Sequence, residues 1–131
     1  MSVGKSSTDL KKVRGLGSAR HGGEHWIGER VSSVALLLLG SWLIASLLLL
    51  PALDYSTIRE WLQTPFGAVP MALFVIISFY HGLDGLKVVV DDYVHEPGEN
   101  FALNTLLLFL AVGGGALALF ALAKIAFGGA A

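Results

Sequence analysis

Three stretches of the chain contain no Asp, Glu, Lys or Arg: residues 31–53, 61–83 and 101–123, each 23 residues long. A helix rises about 1.5 Å per residue, so each stretch can cross a hydrocarbon slab roughly 30 Å thick. A soluble helical core of this length would show polar positions at a 3.6-residue period. The run "VALLLLGSWLIASLLLLPAL", residues 34–53, shows none. The pattern predicts an all-α membrane protein with three transmembrane helices, at about 31–50, 66–92 and 101–127. Pro51 ends the first. Pro70 falls in the first turns of the second, where a missing N–H is tolerated. The segment 53–65 reads as a short loop with one surface helical turn. "YVHEPGEN", residues 93–100, reads as a tight loop with "EPG" as its turn signal. The expected division is a polar N-terminal arm over 1–29 and a three-helix anchor domain over 30–127.

Charge sets the expected orientation. Six of the nine Lys and Arg lie in the first thirty residues: Lys5, Lys11, Lys12, Arg14, Arg20 and Arg30. The 53–65 loop carries Arg59 and the C-terminal end carries Lys124. The positive-inside bias therefore places the N-terminus and the 93–100 loop in the cytoplasm, or in the matrix if the membrane is mitochondrial. The first thirty residues hold no apolar signal-peptide core. They are basic and rich in Ser and Gly, but Asp9 and Glu24 argue for a short cytoplasmic arm over a mitochondrial transit peptide. Trp26 suits the membrane interface. The chain has no cysteine, which excludes disulfides, thiolate metal sites and iron–sulfur ligation by its own residues. No nucleic-acid partner is expected.

The polar groups that interrupt the second span carry the candidate chemistry. "FYHGLDGLKVVVDDYVHEPGEN", residues 79–100, places His81 about eleven residues before the cytoplasmic end of its helix, roughly 16 Å inside. Polar side chains at that depth are expensive and tend to be functional. At 100° per residue His81, Gly85, Val88 and Asp92 share a stripe, extended upward by Ile77 and Phe74. An imidazole facing a bundle interior with a glycine one turn below resembles a heme-ligand environment: glycine leaves room for the macrocycle edge and the imidazole supplies an axial nitrogen. No other histidine lies at membrane depth, since His21, His25 and His95 sit near the cytoplasmic face. A second axial ligand would come from a partner chain. Asp84 and Lys87, at i and i+3, can neutralise one another, as a self-paired or a partner-facing ion pair. Tyr93 beside Asp92 is either an interfacial anchor or a phenol that donates to a quinone carbonyl. Gly113–Gly115 in the third span are expected to permit close helix contact.

The motif His81…Asp92-Tyr93-Val94-His95, together with "GSARHGGEHWIGERVSSVAL" ahead of and into the first span, resembles the small hydrophobic membrane anchor of succinate dehydrogenase, respiratory complex II. The resemblance covers roughly residues 17–127. It implies half of a heterodimeric helical bundle in a bacterial inner membrane, or alternatively the mitochondrial one. It implies heme b shared through His81 with a companion membrane anchor, and Arg30 near the quinone and heme propionates. Tyr93 and Asp92 would serve ubiquinone. An iron–sulfur protein and a flavoprotein would complete the complex, and the isolated chain would have no turnover. The alternatives are a menaquinol-using fumarate reductase anchor and a purely structural anchor without heme.

Overall fold

In the computed structural model, residues 22–128 are described. Residues 1–21 of the expected N-terminal arm, with Arg20 and His21, lie outside the described residues, and residues 22–29 form the first turns of a helix. Four helices follow one another: α1 (Gly22–Leu49), α2 (Tyr55–Leu62), α3 (Pro65–Tyr93) and α4 (Pro97–Phe127). Three of them, over Trp26–Leu49, Pro65–Tyr93 and Pro97–Phe127, are long and apolar enough to cross a membrane. The chain is an all-α, multi-pass membrane protein.

Local chemistry explains where the helices begin and end. α1 starts at Gly22, nine residues before the apolar run. Glu24 in its first turn favours the positive end of the helix dipole. Four residues apart, the Arg30 guanidinium lies 5.4 Å from the centre of the Trp26 ring, which steadies this polar first part of the helix. α2 makes two full turns where the sequence suggested one. Asp54 caps it, accepting from the Thr57 N–H at 2.8 Å, and that bond holds the Asp54 carboxyl below its ordinary value. Thr64 caps α3 through Gly67 N–H at 3.1 Å, with Pro65 in the first turn. Pro97 does not end a turn as expected. It opens α4, so only Val94, His95 and Glu96 separate α3 from α4. A proline's fixed φ suits the first helical position as well as it suits a turn, and here the following apolar run decides.

α3 is the middle helix. It packs against α1 on one side and α4 on the other, while α1 and α4 do not pack together. The α3–α4 seam closes around a ring in a glycine notch: a Cβ on Gly114 would lie 2.8 Å from Phe79 Cε1, and one on Gly115 3.5 Å from Cγ of the same ring. Gly114 and Gly115 thus permit the close contact expected of them; Gly113 faces open space. At the end of the bundle away from the α3–α4 turn, α2 lies across the helix termini. Trp42 of α1 stacks on Trp61 with ring centres 5.6 Å apart, and Gln63 Nε2 donates to the Gly128 carbonyl at 3.3 Å. Gly67 is buried where α3 leaves α2, and a Cβ there would run into the Trp61 carbonyl.

Among the described residues only Ser32, Gly67 and Leu122 are buried. Three helices in a row cover little of one another, so the apolar flanks are left for lipid or for further protein.

The Gly67 contact gives a direct test. Gly67→Ala should lower the stability of the purified protein by about 1–3 kcal/mol, because backbone rather than a movable side chain opposes the new methyl. Gly82→Ala, where a Cβ meets nothing within 4 Å, should be close to neutral. Thermal unfolding in detergent compares the two.

Candidate functional site

His81 sits on the side of α3 that meets α1. It is half-buried, and its Nδ1 lies 2.9 Å from Ser32 Oγ across the seam. Ser32 is one of the few buried residues, 7% exposed, and its hydroxyl also donates to the Glu29 carbonyl one turn back at 3.0 Å. Ser33 bonds the same carbonyl at 2.7 Å but does not reach α3. A buried hydroxyl or imidazole without a partner would cost roughly 1–3 kcal/mol, and here each satisfies the other. The other ring nitrogen, Nε2, makes no hydrogen bond among the described residues.

Helix geometry separates the remaining candidates from this point. Gly85, one turn on, faces open space: a Cβ there would meet nothing within 4 Å. Gly85, Val88 and Asp92 are all exposed, so below His81 the stripe runs along an outer face of this chain. The reason is that α1 meets α3 at His81, while among the described residues no helix covers the stripe below it. Asp92 and Tyr93 end α3; Tyr93 is 80% exposed. Arg30 lies one helical step before Val31 and Ser32 on α1, but its guanidinium is turned over Trp26. No hydrogen bond or ion pair joins Arg30, Asp92 or Tyr93 to His81 among the described residues.

The Asp84–Lys87 pair expected from spacing does not form. Asp84 stands near the Tyr80 hydroxyl one turn back, where its charge acts on the phenol, and the Lys87 charge acts weakly on Asp91. Asp91 is also the centre of a polar clasp that the reading of the sequence missed. Its Oδ1 accepts from Asn100 Nδ2 at 2.9 Å and from Asn104 Nδ2 at 3.0 Å. Asn100 further donates to the Val94 carbonyl at 3.2 Å. The clasp ties the end of α3 to the start of α4 and fixes where the chain emerges at Tyr93. Asn100 and Asn104 are four residues apart at the start of an apolar helix, a spacing that signals one shared face. Ser32 had a weaker signal, because Ser33 beside it is equally polar.

A scan of protein-family models matches residues 5–123 to the succinate dehydrogenase/fumarate reductase transmembrane subunit. The chain belongs to this family. Its relatives include the succinate dehydrogenase hydrophobic membrane anchor subunits of Rickettsia conorii, 37% identical over 87 residues (66% of this chain and 69% of that protein), and Rickettsia bellii, 32% over 100 residues (76% and 78%). The protein of the same name from Paracoccus denitrificans is 31% identical over 124 residues, 92% of this chain and 93% of its own length. A succinate dehydrogenase anchor works as part of an oxidoreductase complex, with other chains beside it. In this chain the anchor role falls to α1, α3 and α4.

The donor chemistry at His81 fits one axial position of a heme. An imidazole with Nδ1 engaged and Nε2 free has the ordinary arrangement of a metal-binding histidine. The open space at Gly85 leaves one flank of α3 clear for a flat ring. No group of three or more His, Cys, Asp or Glu that could hold a metal ion forms among the described residues.

The clasp makes its own prediction. Asn104→Leu removes a donor to Asp91 and leaves the clasp to Asn100 alone. Hydrogen exchange at the amides of residues 94–100 should quicken several-fold, with α1 unaffected. Unchanged protection would show that the turn does not depend on the clasp.

Proposed function

We propose that the chain is the membrane anchor of a succinate:ubiquinone oxidoreductase, contributing one axial ligand of heme b and part of the site where ubiquinone is reduced. Family membership supports the anchor role, and the observation that carries the finer reading is His81, fixed by Ser32 with Nε2 free. The relatives from Rickettsia and Paracoccus are succinate dehydrogenase subunits, which favours succinate oxidation over fumarate reduction.

In this reading the membrane is a bacterial inner membrane and the N-terminus is cytoplasmic, from the basic bias of residues 1–30. A companion membrane anchor packs on the uncovered faces and supplies the second histidine. The iron–sulfur protein of the complex caps the cytoplasmic end, and the flavoprotein lies beyond it. Heme, when bound, would supply a one-electron store on the far side of the quinone site from the iron–sulfur protein. His81 holds that group at a fixed depth and orientation, and Gly85 gives it clearance. Arg30, at the start of the apolar part of α1, places a positive charge where propionates would emerge. Tyr93, presented by the end of α3, donates its phenol O–H to a quinone carbonyl, and Asp92 stands beside it as the neighbouring acid. Roughly 16 Å of α3, about three turns, separates Asp92 from His81, so the two functions occupy different depths.

Two measurements test the proposal. A reduced-minus-oxidised spectrum of the purified complex should show a b-type signal that His81→Leu abolishes or shifts; a spectrum unchanged by that substitution contradicts the ligand role. Tyr93→Phe should lower succinate:quinone activity by about fivefold or more, the effect of one lost hydrogen bond of about 1 kcal/mol. Succinate oxidation with an artificial acceptor should persist. Equal loss of both activities would place Tyr93 in assembly.

A further inference from the structure

We infer that Ser32 is a positioning residue for the His81 imidazole, forming a hydrogen-bond relay from His81 Nδ1–H through the Ser32 hydroxyl to the Glu29 carbonyl, and that this relay sets the orientation and donor strength of Nε2. The inference rests on the reading of His81 as a heme ligand.

The geometry supplies each link. Ser32 Oγ stands 2.9 Å from His81 Nδ1 and 3.0 Å from the Glu29 carbonyl oxygen. A serine hydroxyl has one proton and two lone pairs. With its proton on the Glu29 carbonyl, it turns a lone pair to the imidazole, so Nδ1 carries the hydrogen and Nε2 keeps its lone pair. That tautomer is the one able to bind iron through Nε2. The reverse polarity, with Ser32 donating to Nδ1, would leave a proton on Nε2 and block it.

Burial argues that the contact is specific. In a chain whose described residues are nearly all exposed or half-exposed, Ser32 is 7% exposed. Ser33 makes the usual bond of a membrane serine to its own helix and goes no further. Ser32 makes such a bond and also crosses to α3. The ring is therefore held by the helix that begins at Gly22, not by its own helix alone.

A hydrogen bond from Nδ1–H to an acceptor raises the basicity of the coordinating nitrogen and restrains rotation of the ring. More basic ligation favours ferric over ferrous iron, and hydrogen bonding around a cofactor is one of the means by which a protein sets its potential. Ser32→Ala removes the acceptor and adds no bulk. Ser32→Thr keeps the hydroxyl.

The test uses the assembled complex in four forms: parent, Ser32→Ala, Ser32→Thr and His81→Leu. Heme content is read optically, the heme midpoint potential by redox titration, and the ligand field by electron paramagnetic resonance of the oxidised heme. Ser32→Ala is expected to keep its heme, raise the midpoint potential and shift the principal g values, with Ser32→Thr returning both toward the parent. A parental potential and parental g values in Ser32→Ala overturn the relay. Should Ser32→Ala fail to assemble, Ser32→Cys, a weaker acceptor of similar size, is expected to raise the potential, and a parental potential there overturns the relay equally. If His81→Leu retains the parental b-type spectrum, the ligand reading fails and the relay with it. That outcome is distinct from a silent Ser32→Ala in a complex whose heme depends on His81.

Discussion

Polar groups inside a hydrocarbon slab must find partners within the protein, and the bond between Ser32 and His81 is where this chain meets that requirement at depth. The two side chains are 49 positions apart in sequence and 2.9 Å apart in space. Their pairing fixes how α1 and α3 face one another. Without it, α1 would meet α3 through apolar side chains and small residues that tolerate many rotations. With it, one side of α3 is committed to α1, which leaves the opposite side for α4 and the faces between them uncovered.

The other polar contacts between helices, among the described residues, sit toward the ends of the bundle and do different work. At one end Asp91 gathers Asn100 and Asn104, so the three-residue link from α3 to α4 is held from both sides. At the other end α2 is pinned by its cap at Asp54 and by the Trp42–Trp61 stack, and Gly67 lets α3 begin hard against it. Between the ends, Phe79 in the notch at Gly114 and Gly115 sets the α3–α4 distance by shape. The outcome is a thin row of helices with almost nothing fully buried among the described residues. Such a row suits a protein whose remaining contacts are made with lipid and with companion chains, which is how a succinate dehydrogenase anchor is used.

Much of this was legible in the sequence, and the rest was not for identifiable reasons. Three runs free of charge announced three spans, because few other structures bury so many consecutive apolar residues. The histidine inside the second span stood out for the same reason. Boundaries were harder. Gly22–Arg30 read as a polar approach because it carries Glu24, His25 and Glu29, yet the helix extends through it, helped by the Arg30–Trp26 contact. Pro97 is equally at home in a turn and at a helix start, and "EPG" favoured the wrong one. Asp84 and Lys87 are near enough in sequence to pair, but spacing alone does not fix how their side chains turn, and the pair does not form among the described residues. Ser32 was invisible because its importance lies in the rotation of α1 about its own axis. Nothing in a uniformly apolar helix records that rotation.

The central claim is that α1 holds the His81 ring from Nδ1 and leaves Nε2 to face a cofactor shared with a companion anchor. A cryo-electron-microscopy map of the assembled complex, at a resolution that shows ring orientation, tests it most directly. Density is expected for Ser32 Oγ within hydrogen-bonding distance of Nδ1, with Nε2 on the iron and a second ligand from the neighbouring chain. A His81 ring turned away from α1, or an iron held by Nδ1, would contradict it.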